Sequence, residues 1–196
     1  MCRMLRGLVI AAGLLLAGLI PSHAAVTITF YSHKFRLIDG MNTDYPHGFV
    51  TLVGTTDSGQ PVNTSYGFSA TTLYALALLT PLHGAVDAPY DADYISQGTP
   101  HFAFPLTDAQ YQAVLAAVDK WRTARQPSYD FYSRNCVTFV SDLAVAAGLT
   151  VTTSKKYIHD PRGFLIDTAI RNRVFLAQYG NRFQESQAAA SPAPQP

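Results

Sequence analysis

Residues Val26 to Tyr31 alternate apolar side chains with threonine, the period of a half-buried strand. Phe49-Val50-Thr51-Leu52-Val53 and Val62 to Phe68 predict two more strands. The turn formers Thr55-Thr56-Asp57-Ser58-Gly59 lie between them, so the pair predicts a β-hairpin with His47 just before its first arm. Ala70 to Leu79 is Ala/Leu-rich and predicts a short helix stopped by Pro81. Gly84 to Gly98, with Pro89 and several aspartates, reads as a loop, and His101-Phe102-Ala103-Phe104 as a strand.

Thr107 to Gln110 spells a capping box. Tyr111, Val114, Leu115, Val118 and Trp121 follow on one helical face, with Gln112, Asp119 and Lys120 on the other, and Pro127 ends the element. Tyr129 to Tyr132 reads as extended. Asn135 is a good N-cap, which makes Cys136 the first residue of a helix whose inward stripe is Val140, Leu143, Ala144 and Ala147, stopped by Gly148. Asp160-Pro161 opens another helix, with Phe164, Leu165 and Thr168 on its buried face and Gly180 at its close. Strands and helices do not alternate regularly, so the expected class is α+β: an antiparallel sheet with the Cys-bearing helix packed on it.

The first residues change the picture of where the chain works. Arg3 and Arg6 precede an apolar run from Leu8 to Ile20, then Pro21 and Ser22-His23-Ala24, the layout of a secretory signal. The run is shorter than the ~20 residues of a membrane span. The expected division is a signal peptide at 1–24, with Ala25 a second candidate cut, one domain at 25–183 and a disordered, proline-ended tail at 184–196. The destination would be periplasmic or secreted, with no stable membrane span after signal removal. Losing Arg3 and Arg6 takes the formal charge from +1 to about −1, and there is no basic block for nucleic acid.

Composition also narrows the chemistry. The one glutamate is Glu185, in the tail, so acid–base work falls to Asp, His, Cys or Tyr. Cys2 leaves with the signal, and Cys136 stays as an odd thiol in an oxidising compartment. A helix N-terminus favours a thiolate, so Cys136 is a candidate nucleophile; a small buried hydrophobe is the other reading. A thiol nucleophile needs a base, usually histidine. His33, His47, His83, His101 and His159 are on offer. His47 opens a strand at a sheet end, beside Gly48, and is the better candidate; a surface histidine beside Pro46 is the alternative. His159 sits at a helix entrance. His83 and His101 have no partners at zinc spacing, so no metal or other cofactor is expected. Asp91-Ala92-Asp93 could bind calcium but reads more simply as a solvated turn.

Asn-Cys-Val-Thr-Phe-Val-Ser-Asp-Leu-Ala, followed by Ala-Gly-Leu, resembles the nucleophile helix of circularly permuted NlpC-type papain-like hydrolases. In that family a His-bearing hairpin precedes the Cys-bearing helix, and the likeness spans residues 45 to 170. The resemblance implies a permuted papain-like fold, Cys136 as nucleophile and His47 as general base. The third member lies across the hairpin. A turn centred on Asp57-Ser58 places Phe68 opposite His47, and a bulge at Gly59 brings Ser69 there, with Tyr66 a diagonal neighbour. Asn135 is a helix cap or a side-chain donor to the oxyanion, alongside the Cys136 N–H.

These residues lead to an exported cysteine peptidase or amidase, with a peptidoglycan stem peptide as the expected partner because NlpC-type relatives cut such peptides. Permuted relatives similar to lecithin retinol acyltransferase handle acyl chains, which makes a thioester or lipid acyl hydrolase or acyltransferase the alternative, with Ala70–Leu79 as a possible groove lining. A non-catalytic envelope binding module on the same scaffold is a third reading. An immunity protein would be a partner if the chain were an antibacterial effector; nothing in the sequence identifies one.

Overall fold

The computed structural model describes residues 25–36, 44–72, 74–87 and 89–180. The expected signal peptide at 1–24 and tail at 184–196 lie outside the described residues. The strands are β1 (Val26–Arg36), β2 (Asp44–Thr55), β3 (Pro61–Ala70), β4 (Gly84–Asp87) and β5 (Thr99–Leu106). They form one antiparallel five-stranded sheet in the order β4-β3-β2-β1-β5. The helices are α1 (Tyr74–Ala77), α2 (Ala92–Gln97), α3 (Asp108–Arg122), α4 (Cys136–Ala146), α5 (Pro161–Arg171) and α6 (Arg173–Ala177). The expected α+β class holds, with helices packed on an antiparallel sheet. No helix of the described residues is long and apolar enough to cross a membrane.

The alternation of strand residues divides the sheet into two faces. Ile28 and Phe30 of β1, Val50 and Leu52 of β2, Phe68 of β3 and Phe102 and Phe104 of β5 are buried with the apolar stripes of α3, α4 and α5. Phe68 meets Trp121 edge-on and stacks on Phe139, which ties β3 to α3 and α4 at once. α4 is buried on most sides (Val137, Phe139, Val140, Leu143, Ala144), so its N-terminus is held rigidly against the sheet. The opposite face carries Tyr31, His33, His47 and Phe49. It is roofed by Tyr90 and by Tyr94 of α2, whose rings stack on each other at 4.4 Å and pack on Phe49.

The hairpin turns on Asp57-Ser58-Gly59, with Gly59 at φ +81° and Thr56 N–H donating to Gln60 O at 3.0 Å. That three-residue loop with glycine in the left-handed region inserts the bulge that sets the register. Phe49 therefore faces Gly67 and Val50 faces Tyr66. Continued two residues, this register aligns His47 with Ser69 rather than with Phe68.

Several elements depart from the sequence expectation. His47 does not open its strand: β2 begins at Asp44 and pairs His47 with His33 of β1. The helix expected over Ala70–Leu79 shrinks to Tyr74–Ala77, because β3 continues to Ala70 and Thr71 N–H is bound to His83 O. Leu76, Leu78 and Leu79 are exposed. The supposed loop over Gly84–Gly98 contains β4, which completes the sheet edge, and α2, capped by Asp91 accepting from Tyr94 N–H. Tyr129 and Asp130 form single bridges to Leu82 and Arg134, and the chain turns at residues 131–133 rather than staying extended. The last helix breaks at Asn172, whose side chain binds Thr150 on both backbone groups and also Thr168 O, so α5 ends ahead of Gly180.

Candidate active site

The turn before α4 is built by Asp130, whose carboxylate accepts from Tyr132 N–H and Ser133 Oγ while its carbonyl accepts from Arg134 N–H. Arg134 lies flat over the Trp121 ring at 3.8 Å, anchoring the turn to α3. Asn135 follows as the N-cap. Its Oδ1 accepts from Val137 N–H at 2.9 Å and Thr138 N–H at 3.3 Å, and Thr138 Oγ1 accepts from Asn135 N–H. Its Nδ2 donates to Phe131 O at 2.9 Å and Ile158 O at 2.7 Å. With both amide hydrogens and the oxygen engaged, Asn135 serves as cap and clamp, and its side chain is not free to donate to an oxyanion.

Cys136 is the first helical residue, and its sulfur reaches past the end of the β2–β3 ladder. That ladder stops at Phe49–Gly67, beyond which β3 pairs only with β4 on its other side. The edge groups of β2 at Pro46 and Gly48 are thereby released from β3. The Cys136 thiol takes their side: Sγ stands 3.9 Å from Pro46 O, and the Gly48 N–H stabilises the sulfur's negative form. Pro46 and Gly48 flank His47, so the sulfur sits against the backbone that carries the imidazole. Gly48 lets α4 and α5 seat closely on β2, since a Cβ there would lie 3.2 Å from Pro161 Cβ and 3.5 Å from Val140.

The His47 imidazole lies in the roofed layer. Nε2 is 2.9 Å from Tyr90 Oη, and that hydroxyl donates to Asp87 Oδ2 at 3.1 Å. A further cross-layer bond holds Tyr90 by its backbone, N–H to Ser65 Oγ at 2.7 Å. Burial governs the protonation of the group. It drives His47 down to about 4, against the opposing pull of Asp87, and the neighbouring His33 lowers it further. Burial likewise pushes the Cys136 thiol up to about 11, only partly offset by the N–H groups of Gly48, Val137 and Cys136 itself. Tyr90 is raised well above its ordinary value by burial and by Asp87, so it stays a hydrogen-bond donor. Both groups rest neutral, the thiol on the backbone that flanks His47 and the imidazole bonded to Tyr90, unlike the thiolate that the helix N-terminus alone would favour.

The other sequence candidates fall elsewhere. Tyr66 is on the helix face, half-buried against the core with Arg122 6.0 Å from its ring, and so on the side of β3 away from His47. Ser69 pairs with Ala85 of β4. Neither holds the imidazole; Tyr90 does. His33 is buried across the ladder from His47 and stacks on Tyr94 at 4.5 Å. His101 is bonded to Ser32 at 2.8 Å, and His159 donates to Phe131 O at 3.0 Å while stacking on the Phe131 ring. Asp91 is occupied as a helix cap, and no group of three His, Cys, Asp or Glu side chains among the described residues is placed to hold a metal ion.

Tyr90 and Asp87 were missed because they lie in the stretch read as a loop. Their one sequence signal is an aspartate and a tyrosine at the two ends of Asp-Ala-Pro-Tyr, which announces no partner. Comparison with protein-family models, with curated proteins and with solved structures finds nothing that matches this chain.

Proposed function

We propose that this chain is an exported cysteine hydrolase of the circularly permuted NlpC-type, papain-like kind, cutting an amide bond in a cell-wall stem peptide. The observation that carries the reading is the seat of the Cys136 sulfur at a helix N-terminus, against Pro46 O and the Gly48 N–H on either side of His47. A cysteine packed only as a hydrophobe has no need of a strand edge released from its ladder and of a histidine between the two groups it touches. The resemblance of the Asn135–Ala144 run to the family's nucleophile helix supports the same assignment.

In the proposed chemistry the thiol is activated at the moment of attack. His47 takes the Cys136 proton as the Sγ–carbonyl carbon bond forms, and the oxyanion is met by the Cys136 N–H. The imidazolium then passes that proton to the leaving nitrogen as the C–N bond breaks, which frees an amine and leaves a thioester. Water attacks the thioester with His47 taking its proton, the C–S bond breaks, and the sulfur recovers a proton as the acid is released. Burial of both groups keeps them neutral between turnovers, which protects the thiol from oxidation in an oxidising compartment.

Incubation of the purified protein with muropeptides, followed by mass spectrometry of new amine ends, tests the reading. Cleavage lost in Cys136→Ala and His47→Ala supports it, and intact muropeptides with folded wild-type protein exclude that substrate. Ester and thioester acyl chains under the same assay distinguish acyl transfer. The neutral, buried pair also favours a second reading, a non-catalytic envelope binding module. It would retain muropeptides on the immobilised wild type and on Cys136→Ala alike, with no new ends formed.

A further inference from the structure

We infer that Tyr90, backed by Asp87, is the residue that orients the His47 imidazole, a place the hairpin itself does not fill. The inference rests on the reading of Cys136 and His47 as a hydrolytic pair. Three elements converge on one hydrogen bond: β2 brings His47, the end of β4 brings Asp87, and the segment entering α2 brings Tyr90. The fourth, β3, makes room. A Cβ on Gly67 would stand 2.1 Å from Tyr90 Oη and 2.6 Å from His47 Nε2, so no residue but glycine at that position admits the bond as it stands. Ser65, two residues before Gly67 on β3, fixes the Tyr90 backbone at the same time.

The direction of the chain of bonds follows from what each group can do. The Asp87 carboxylate only accepts, so the Tyr90 hydroxyl gives its hydrogen to Oδ2 and offers its oxygen to Nε2. His47 must then carry its hydrogen on Nε2 and its lone pair on Nδ1. Nδ1 is the ring nitrogen nearer the backbone, and the Cys136 sulfur rests against that backbone at Pro46 and Gly48. The arrangement thus leaves Nδ1 as the basic nitrogen, on the side of the ring nearer the backbone that Cys136 touches. When Nδ1 takes the proton, the positive ring faces the Tyr90 oxygen and, beyond it, the Asp87 carboxylate. Tyr90 acts through the imidazole and is a positioning residue.

The experiment reads the tautomer directly, in protein labelled with 15N at histidine and without substrate. The His47 signals are assigned by their loss in His47→Gln. In the wild type at pH 7 the ring should be held as the Nε2–H form. Tyr90→Phe and Gly67→Ala should both give a mixture of tautomers. Asp87→Asn, which can donate as well as accept, should admit the reversed chain and the Nδ1–H form. Each variant is checked for cooperative unfolding by Trp121 fluorescence, so that a misfolded one is not scored. With muropeptides, Tyr90→Phe should lower kcat by about 10- to 100-fold with little change in KM, the range expected when a general base is badly presented. A tautomer unchanged in both Tyr90→Phe and Gly67→Ala overturns the assignment whatever the activity. A tautomer held in the wild type and lost in the variants, in a protein that cuts no muropeptide, leaves the orienting role standing and removes that substrate.

Discussion

The sulfur of Cys136 stands 3.9 Å from the carbonyl oxygen of Pro46, although 90 positions separate the two in the chain. The contact exists because β2 and β3 part company at Phe49–Gly67, and the first turn of α4 enters the place that β3 vacates. A chemical consequence follows from the dryness of that place. A thiol there meets few groups that stabilise its anion, and burial outweighs the helix N-terminus.

Alkylation of Cys136 in the free protein should therefore be slow at neutral pH. With the thiol pushed up to about 11, the rate should climb through pH 9 and 10 without a plateau. Against an ordinary cysteine, the thiolate fraction at pH 7 is roughly 100-fold smaller. Stopped-flow labelling with iodoacetamide between pH 6 and 11 checks this, and a plateau near pH 7 would show a standing thiolate instead.

Acid should weaken the fold through its buried imidazoles. His47 and His101 are both lowered to about 4 from an ordinary 6.5. Between pH 6.5 and 4 the unfolded chain binds protons at these sites that the folded chain refuses, so stability falls as the pH falls through that window. His47 alone contributes on the order of 3 kcal/mol across it. Urea unfolding followed by Trp121 fluorescence should show this slope, and His47→Gln should flatten part of it. A stability flat from pH 7 to 4 would mean that the imidazoles are solvated.

The cap at the head of α4 should be worth more than an average cap. Asn135→Ala removes the acceptor for two N–H groups and leaves the Phe131 and Ile158 carbonyls without their donor. A lost cap costs about 1 kcal/mol, and the orphaned carbonyls bring the total to roughly 2–3 kcal/mol. The melting temperature should drop by about 5–10 °C for a domain of this size. Asn135→Asp keeps the cap and loses only the two donors, so it should fall between.

Local signals carried the starts of the three long helices, α3, α4 and α5. Thr107 and Gln110 make the reciprocal bonds of a capping box, and Asn135, Gly148 and Asp160 bound their helices as their chemistry suggests. What the sequence could not carry was pairing at a distance. β4 exists because Ala85 and Val86 find the free edge of β3, and nothing within Gly84–Asp87 encodes that edge. The same limit hid the partner of His47. Across the hairpin lie Tyr66 and Ser69, whereas the bond is made by Tyr90, delivered over the sheet by a segment whose aspartates and proline look like turn chemistry. Glycine told less than it knew: Gly67 gave no hint in sequence that it was a gap left for two side chains.

The account turns on a thioester formed at Cys136 under the base His47, and acid quenching tests this most directly. Wild-type protein mixed with muropeptides is stopped in acid within seconds and mapped by peptide mass. An acyl adduct on the peptide carrying Cys136, absent in His47→Ala and discharged by hydroxylamine, is the expected result. An unmodified Cys136 peptide from folded protein that has meanwhile released new amine ends would place the chemistry on another residue and contradict the account.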